Sequence, residues 1–358
     1  MRKIKILFNA YADKHNLNAQ NLNAREIIRR LDKNTFESFI FYFDLPDERL
    51  NGIENIHLIK LDKKFFRFQK LKHFLSDDYD VIFYIKNSFL DYSYLHLKKL
   101  LKDRKMTINP IENMVPYPAS KFYNFFAKHN ALLSDLIVPI SKQVYASVVE
   151  NYKISPQSVI NAGVDLDIFK PINSKIDNEF PKIIYVGSFQ KRKRPSVVVE
   201  EARVFKNAHF TLIGNGPEEN NIKQMVKDYK LDNVTILVSM PQEKLADYYS
   251  KSDVFFFPSI HEGFPKVVIE AMACGLPPLV MNSYKPEMII NGVNGFIAES
   301  DDEITKYLKI LIENVELRKQ LSKKAIESAK NYQWDLIVKK WENLINERIK
   351  DHGNESDL

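Results

Sequence analysis

Short apolar runs rich in β-branched and aromatic residues alternate with longer amphipathic stretches along most of the chain. Alternation of this kind is typical of parallel sheets that carry helices on both faces. The runs predict strands at residues 4–9, 37–43, 56–61, 81–85, 106–109 and 136–140, and again at residues 183–186, 210–213, 234–238, 254–258 and 278–281. The pattern therefore indicates an α/β protein with two Rossmann-like, doubly wound domains.

A segment rich in Pro, Asn and Asp, residues 155–181, separates the two sets of strands. The chain has 358 residues, 45% of them hydrophobic, which exceeds the roughly 250–300 residues at which a single core usually splits. We expect an N-terminal domain at residues 1–165, a second domain at 172–330, a helix at 331–350 that packs back towards the first domain, and a disordered tail at 351–358. Ligands of open α/β sheets bind at the carboxyl ends of the strands, so we expect the domains to face each other across a cleft.

The apolar runs are short and interrupted by charge, so the sequence predicts neither a transmembrane helix nor a signal peptide. The single cysteine, Cys274, excludes an intrachain disulfide and is expected to be a buried packing residue. Both observations favour a reducing, cytoplasmic location.

Positive charge is concentrated in the first half of the chain. Residues 1–170 contain 26 Lys and Arg against 19 Asp and Glu, a net charge of +7, whereas the remainder has a net charge of −1. Within the first half, residues 60–75 interleave basic side chains with Phe65, Phe66, Phe68, Leu71 and Phe74. Such a helix could lie peripherally on an anionic membrane surface, or it could bury its apolar stripe in its own domain. The sequence contains no recognisable nucleic-acid-binding module, so no nucleic acid partner is expected.

Two glutamates, Glu262 and Glu270, mark the most informative segment of the second half. A buried strand at residues 253–258 leads through Gly263 and Pro265 into an apolar helix that ends at Gly275. The start of such a helix favours phosphate, because free N–H groups and the helix dipole point towards it. Glu270 lies roughly 7 Å further along the helix, and a carboxylate buried there requires a partner such as a hydroxyl-rich ligand.

This segment resembles the paired-glutamate signature of the retaining glycosyltransferases of family 4, which have the GT-B fold. Further segments follow the pattern of the same family, at residues 160–171, 184–188, 212–217, 234–258 and 291–297. The resemblance covers about residues 135–345 and is weak before them. It implies a nucleoside-diphosphate sugar as donor, with the ribose at Glu270 and the transferred sugar at Glu262.

The resemblance also implies the remaining contacts of the donor. Lys193 matches a lysine that neutralises the leaving diphosphate, whereas Ser188 stands where the family usually has an arginine. Losing that cation from developing phosphate charge could cost several kcal/mol, unless Arg192 or a neighbouring cation replaces it. Other expected donor contacts are Gly187, Gly214, Gly216, the base-contacting Val238 and Met240, and the loop and helix start formed by Gly263, Phe264, Pro265, Lys266 and Val267.

The sequence says less about the residues that bind the acceptor. Asn109 or Glu112 stands near the position of a histidine in many relatives, and Glu112 could orient or deprotonate an acceptor hydroxyl, or could merely belong to a loop. The expected acceptor is a sugar or a lipid-linked sugar, in polysaccharide, lipid-linked oligosaccharide or glycolipid synthesis. No metal or other cofactor is expected, because the chain contains no metal-ligand constellation and GT-B enzymes typically work without one.

Two alternatives remain at this point. A GT-B sugar-nucleotide epimerase would bind the same donor, and so would a catalytically silent binding or partner protein, which the serine at position 188 favours. The sequence does not indicate the oligomeric state.

Overall fold

The computed structural model describes residues 2–15, 18–117, 121–171 and 180–354. The chain folds as two compact units, the first comprising Met1–Ala162 with Trp334–Leu358, and the second comprising Gly163–Gln333. The two ends of the second unit lie side by side, since Val164 and Gln333 form a parallel bridge and the Val164 N–H donates to the Tyr332 carbonyl at 2.8 Å. None of the described helices is long and apolar enough to cross a membrane.

The sheet of the first unit has six parallel strands in the order β3-β2-β1-β4-β5-β6. They are β1 (Ile4–Tyr11), β2 (Phe36–Tyr42), β3 (Ile56–Lys60), β4 (Val81–Phe83), β5 (Met106–Ile111) and β6 (Leu136–Pro139). The helices that connect or follow them are α1 (Ala19–Arg30), α2 (Phe66–Leu75), α3 (Phe89–Leu101), α4 (Lys121–Leu133) and α5 (Lys142–Tyr152). Ile6, Leu7 and Phe8 of the central strand are completely buried, as expected where helices cover both faces of a sheet.

The second unit repeats this plan with six parallel strands in the order β12-β11-β10-β7-β8-β9. They are β7 (Lys182–Val186), β8 (His209–Ile213), β9 (Val234–Leu237), β10 (Val254–Phe257), β11 (Pro278–Met281) and β12 (Phe296–Ala298). Its helices are α6 (Pro195–Val204), α7 (Glu219–Asp228), α8 (Gln242–Ser250), α9 (Lys266–Ala273), α10 (Asp301–Glu313) and α11 (Val315–Ala329).

The last helix, α12 (Trp334–Asn354), belongs to the first unit. The Trp341 ring packs edge-on against the Phe83 ring of β4, with 4.7 Å between the ring centres. The Glu342 carboxylate accepts a hydrogen bond from the backbone N–H of Asp32 at 2.7 Å. The helix extends through Asn354, into the segment predicted as a disordered tail, and residues 355–358 of that segment lie outside the described residues. The predicted connecting segment at residues 155–181 lies partly outside them as well.

Each sheet has one point where the strand order changes direction, between β1 and β4 in the first unit and between β7 and β10 in the second. Such switch points open a crevice at the carboxyl ends of the two strands. The prediction of two Rossmann-like α/β domains is confirmed, and each predicted strand is present. The short strand β12 was not predicted.

Candidate functional site

The segment that carries Glu262 and Glu270 folds as a strand, a loop and a helix at the switch point of the second unit. All residues of β10 are completely buried. α9 begins after Pro265 with neither a side-chain cap nor an acidic residue in its first turn, so its first N–H groups and the dipole favour an anion. The helix ends at Ala273, and Gly275, two residues later, has φ +84°.

Glu262 lies in the loop after β10 and is buried, with 8% of its surface exposed. Its Oε1 accepts a hydrogen bond from the Ser259 hydroxyl at 2.7 Å. The same oxygen lies 3.2 Å from Lys193 Nζ and 3.4 Å from Arg192 Nη1. The structure therefore brings together the predicted sugar-side glutamate and two of the predicted phosphate-side cations.

Both cations come from the turn after β7, the strand on the other side of the switch point. Lys193 extends past Gly187, where a Cβ would lie 3.5 Å from the lysine side chain, and its Nζ is 5.2 Å from the centre of the Phe257 ring. Arg192 Nη1 donates to the His261 carbonyl at 2.7 Å. These contacts join the ends of β7 and β10 into one site.

The neighbouring positions of the same turn do not supply a cation to Glu262. Arg194 forms a bidentate ion pair with Asp301, at 2.6 and 2.7 Å, and Lys191 is exposed. Ser188 is partly buried, and its carbonyl accepts a hydrogen bond from Tyr185 at 3.3 Å. Arg192 is therefore the cation of this turn that joins Lys193 at the glutamate.

Glu270 lies inside α9 with 7% of its surface exposed. Burial raises the pKa of its carboxyl to about 7, against a smaller opposing effect of the Lys266 charge. Within the described part of the chain, no donor forms a hydrogen bond with this carboxylate. A buried acceptor without a donor is costly, so Glu270 is suited to accept hydrogen bonds from a ligand.

Three hydroxyl groups around Glu262 were not predicted. Ser259 is completely buried and donates to the carboxylate. Burial and then the charge of Glu262 raise the pKa of Tyr185 and Tyr284 well above the usual tyrosine range. The Tyr284 hydroxyl is buried and has no hydrogen-bond partner among the residues that the structure describes. Its place just after β11 was the signal that could have suggested it.

The other predicted donor contacts occupy the neighbouring strand ends and the start of α9. A Cβ on Gly214 would lie 1.9 Å from the Gly187 carbonyl oxygen, and one on Gly216, which has φ +152°, would lie 2.7 Å from that of Phe189. These glycines therefore permit close packing of two loops. Val238 is exposed and Met240 is partly buried. At the helix start, Phe264 is buried against Tyr332, Pro265 is buried, and Lys266 and Val267 are partly buried.

Comparison with known proteins agrees with this geometry. Residues 168–328, nearly the whole second unit, match the family described as glycosyl transferases group 1. The second unit belongs to this family. The predicted GT-B glycosyltransferase family is thereby confirmed at the level of group 1, and its assignment to family 4 stays a prediction.

Two relatives and one solved structure illustrate the similarity of the chain to known proteins. The chain is 29% identical over 217 residues to an uncharacterized glycosyltransferase of Methanocaldococcus jannaschii, covering 60% of each chain. It is 27% identical over 208 residues, 56% of each chain, to the N-acetylgalactosamine-N,N'-diacetylbacillosaminyl-diphospho-undecaprenol 4-alpha-N-acetylgalactosaminyltransferase of Campylobacter jejuni. The chain thus spans less than two thirds of the length of these relatives. The fold matches Anabaena HepE, solved with UDP and glucose, with a TM-score of 0.78 at 14% identity, covering 96% of this chain and 100% of HepE.

Glu112, the predicted acceptor-side residue, lies in the first unit just after β5. Its Oε1 accepts hydrogen bonds from the Tyr84 hydroxyl at 3.1 Å and from the Asn23 side chain at 3.0 Å. Tyr84 has a positive φ of 70°, which is uncommon for a bulky residue and typical of functional sites. Asn109 is buried, and in the described part of the first unit its amide nitrogen has no hydrogen-bond partner.

The aromatic and aliphatic side chains of the basic stretch at residues 60–75 lie partly in the core and partly on the surface. Phe66, Leu71 and Phe74 pack into the core of the first unit, as expected of an ordinary amphipathic helix. Phe65 and Phe68 are exposed by 64% and 71%. Among the described residues, no cluster of His, Cys, Asp and Glu could hold a metal ion.

Proposed function

We propose that this chain is a retaining glycosyltransferase that moves a sugar from a nucleoside-diphosphate sugar to an acceptor hydroxyl. The observation that carries the proposal is Glu270, a buried carboxylate without a hydrogen-bond donor in the described chain. It lies about 6 Å along α9 from the uncapped helix start, which is close to the distance from a diphosphate to a ribose. Glu270 would accept hydrogen bonds from the ribose hydroxyls, and the helix start would bind the diphosphate.

The ends of β7 and β10 then hold the transferred sugar and the leaving group. Lys193 and Arg192 together carry two positive charges against the single carboxylate of Glu262. The remaining charge stabilises the leaving diphosphate, while Glu262 and the neighbouring hydroxyls bind the sugar. The acceptor attacks the anomeric carbon from the face that the phosphate leaves, and its proton passes to that phosphate. In this mechanism the protein positions the substrates and needs no nucleophile.

The relatives support the substrate classes. Anabaena HepE was solved with UDP and glucose, which supports a nucleotide-sugar donor. The name of the Campylobacter relative places its acceptor on diphospho-undecaprenol, which supports a lipid-linked acceptor for this chain. We therefore propose a role in polysaccharide, lipid-linked oligosaccharide or glycolipid synthesis, without a metal ion, with Glu112 as the residue of the first unit that orients the acceptor hydroxyl.

A lipid-linked acceptor requires access to a membrane. α3 packs against both α2 and α4, and these three helices expose large apolar side chains. The exposed residues are Phe65 and Phe68 at α2, Phe89, Leu100 and Leu101 on α3, and Phe122, Phe125 and Leu132 on α4. We call this surface, with the exposed Lys63, Lys64 and Arg67, the basic aromatic face. We propose that it contacts an anionic bilayer from the cytoplasmic side.

Glu270→Gln tests the donor site, with UDP-glucose as the first ligand in a screen of nucleotide sugars by thermal stabilisation. We expect the affinity of the wild-type protein for UDP-glucose to rise with pH through about pH 7, because the ionised carboxylate accepts hydrogen bonds better. The variant should bind UDP-glucose at least tenfold more weakly, about 1.4 kcal/mol, and its affinity should not show this pH dependence. The stability of the wild-type protein should change with pH in the opposite direction. A raised carboxyl pKa means that the folded state binds the extra proton, so wild-type stability falls as pH rises between about 4.5 and 7.

Glu243→Gln on the exposed surface of α8 is the matched control and should behave as wild type. Unchanged affinity and turnover in Glu270→Gln would refute the proposed donor site. Product analysis separates the alternatives. An epimerised donor formed without acceptor would indicate an epimerase, and tight binding with neither transfer nor hydrolysis would indicate a silent binding protein.

A further inference from the structure

Two lysine side chains are buried together in the first unit. Lys70 of α2 is 4% exposed, and Lys86, which follows β4, is partly buried. Both ammonium groups lie near the ring of Tyr11, with Nζ 5.7 Å from its centre for Lys70 and 4.7 Å for Lys86. Lys70 also lies 6.0 Å from the Phe41 ring and 5.6 Å from the Phe74 ring. Two positive charges therefore share an aromatic pocket.

Within the described residues, neither ammonium group forms an ion pair with a carboxylate. Asp91 is completely buried nearby and interacts electrostatically with both lysines. Its Oδ1 accepts hydrogen bonds from the Asn9 side chain at 2.7 Å and from the backbone N–H of Lys86 at 3.1 Å, and its Oδ2 accepts one from the Ser88 hydroxyl. Asp91 thus holds the loop after β4 in place and does not pair directly with either amine.

Burial of the two amines is electrostatically unfavourable. Desolvation lowers the pKa of Lys70, and desolvation followed by the charge of Lys70 lowers the pKa of Lys86 to about 8. The rings of Tyr11, Phe41 and Phe74 attract the two cations but do not neutralise their charge. A bound anion would offset both the desolvation and the mutual repulsion.

The location of the pocket is independent support for a ligand. Tyr11 is the last residue of β1 and Lys86 follows β4, so the pocket lies at the switch point of the first sheet. This is the place where open α/β sheets bind ligands, and the candidate donor site of the second unit occupies the corresponding place in its own sheet. The charge of Glu112 also acts on Lys86, which places the predicted acceptor-side carboxylate near the same pocket.

We propose that Lys70 and Lys86 bind a phosphate group carried by the acceptor substrate. The word acceptor rests on the proposed transferase function, whereas the phosphate site rests on the first unit alone. Phosphate carries about −1.5 to −2 charge at neutral pH, which matches two ammonium groups, and lysine binds phosphate as a point charge. Among the described residues, no donor reaches the buried side-chain oxygen of Asn9, which can accept a hydrogen bond from an acceptor hydroxyl. Lys70 and Lys86 would therefore select phosphorylated acceptors over neutral sugars.

The test titrates pyrophosphate into the full chain by calorimetry, with UDP present to fill the candidate donor site. Wild type should bind pyrophosphate, and Lys86→Gln and Lys70→Met should each bind it about tenfold more weakly or worse. Lys72→Gln, at an exposed position of the same helix, should bind as wild type. Equal binding by wild type and both pocket variants, or loss of binding only in Lys193→Gln, would overturn the proposal.

Three further measurements complete the test. In buffer without binding anions, removing the buried charge of Lys70 or Lys86 should leave the thermal unfolding midpoint unchanged or raise it. A lower midpoint in both Lys70→Met and Lys86→Gln contradicts the proposal. Malonate binding as tightly as pyrophosphate would overturn the choice of phosphate over carboxylate. Methyl phosphate binding as well as pyrophosphate supports a phosphorylated sugar as the source, and a clear preference for pyrophosphate supports a lipid-linked diphosphate.

Binding of UDP-glucose, measured in parallel, separates this proposal from the proposed function. Pyrophosphate binding that depends on Lys70 and Lys86 supports the phosphate site even where UDP-glucose does not bind. If the protein binds UDP-glucose but its pyrophosphate binding does not depend on Lys70 and Lys86, the donor site is supported and the phosphate site is overturned.

Discussion

At the scale of single residues, the two cations beside Glu262 indicate how the site can hold a phosphate although position 188 is a serine and not an arginine. Lys193 and Arg192 approach the same carboxylate oxygen, at 3.2 and 3.4 Å. One carboxylate neutralises one of these cations, and the other charge is left for an anion at the end of β7. Arg192 is therefore the residue best placed to supply the charge that the family 4 enzymes, which the sequence resembles, usually take from an arginine at the position of Ser188.

This substitution can be tested by moving the arginine. Arg192→Ala should lower kcat by about 10²-fold or more, because a preorganised cation is lost from the leaving phosphate. Adding Ser188→Arg to this variant should restore part of the loss. Transfer from a radiolabelled nucleotide sugar is the measurement, and Lys191→Ala, which changes an exposed lysine of the same turn, is the control. A double variant no faster than Arg192→Ala would show that position 188 is not equivalent.

At the scale of elements, the loops after β7 and β8 are packed too closely to accept a side chain at Gly214. The Phe189 N–H donates to the Asn215 carbonyl at 2.9 Å, and the Phe189 carbonyl accepts the N–H of Glu218 at 2.9 Å. The Gly187 carbonyl lies where a Cβ of Gly214 would be. This packing holds the turn that presents Lys193 and Arg192, so the geometry of the cations depends on a loop that does not itself contain them.

Gly214→Ala should therefore reduce the free energy of unfolding by about 2–4 kcal/mol, because the backbone must move to relieve the clash. Gly52→Ala provides the comparison. Gly52 has φ +73°, and no atom lies within 4 Å of the position that a Cβ would take there, so only backbone strain of about 1 kcal/mol is expected. Urea unfolding measures both. An equal or smaller loss for Gly214→Ala would contradict the role assigned to loop packing.

The sequence predicted those features that depend on local patterns. The alternation of strands and helices, and the segment from β10 through α9, follow from periodicity and from the positions of Gly275 and Pro265. β12 was missed because three residues between turns carry too little periodicity. The environment of Glu262 could not be predicted fully, since Tyr284 and Arg192 come near it only through packing between strands that are distant in sequence.

At the scale of the whole molecule, exposed aromatic side chains and positive charge occur together in the first unit. Residues 1–170 carry the entire positive excess of the chain, and α2, α3 and α4 expose the apolar side chains of the basic aromatic face. Anionic lipid would satisfy both components, because it attracts the cations and accepts the aromatic rings at headgroup depth.

Combined replacement of Lys63, Lys64 and Arg67 by Glu should abolish flotation with anionic vesicles, since each basic residue near such a surface contributes about 1 kcal/mol. Binding of wild type should also weaken as salt is added. A matched triple replacement of Lys319, Lys323 and Lys324 by Glu on α11, whose lysines are exposed, should float as wild type. Unaltered flotation of the first variant would refute the proposed membrane contact.

The side-by-side ends of the second unit have a consequence for biosynthesis. Val164 pairs with Gln333, and the helix that follows, α12, packs its Trp341 against β4 of the first unit. The ribosome therefore releases all of Gly163–Gln333 before it releases the helix that completes the first unit. Because domains fold as units during synthesis, the second unit can reach its native state while the first still lacks α12. The half of the chain that begins first is thus the half that finishes folding last.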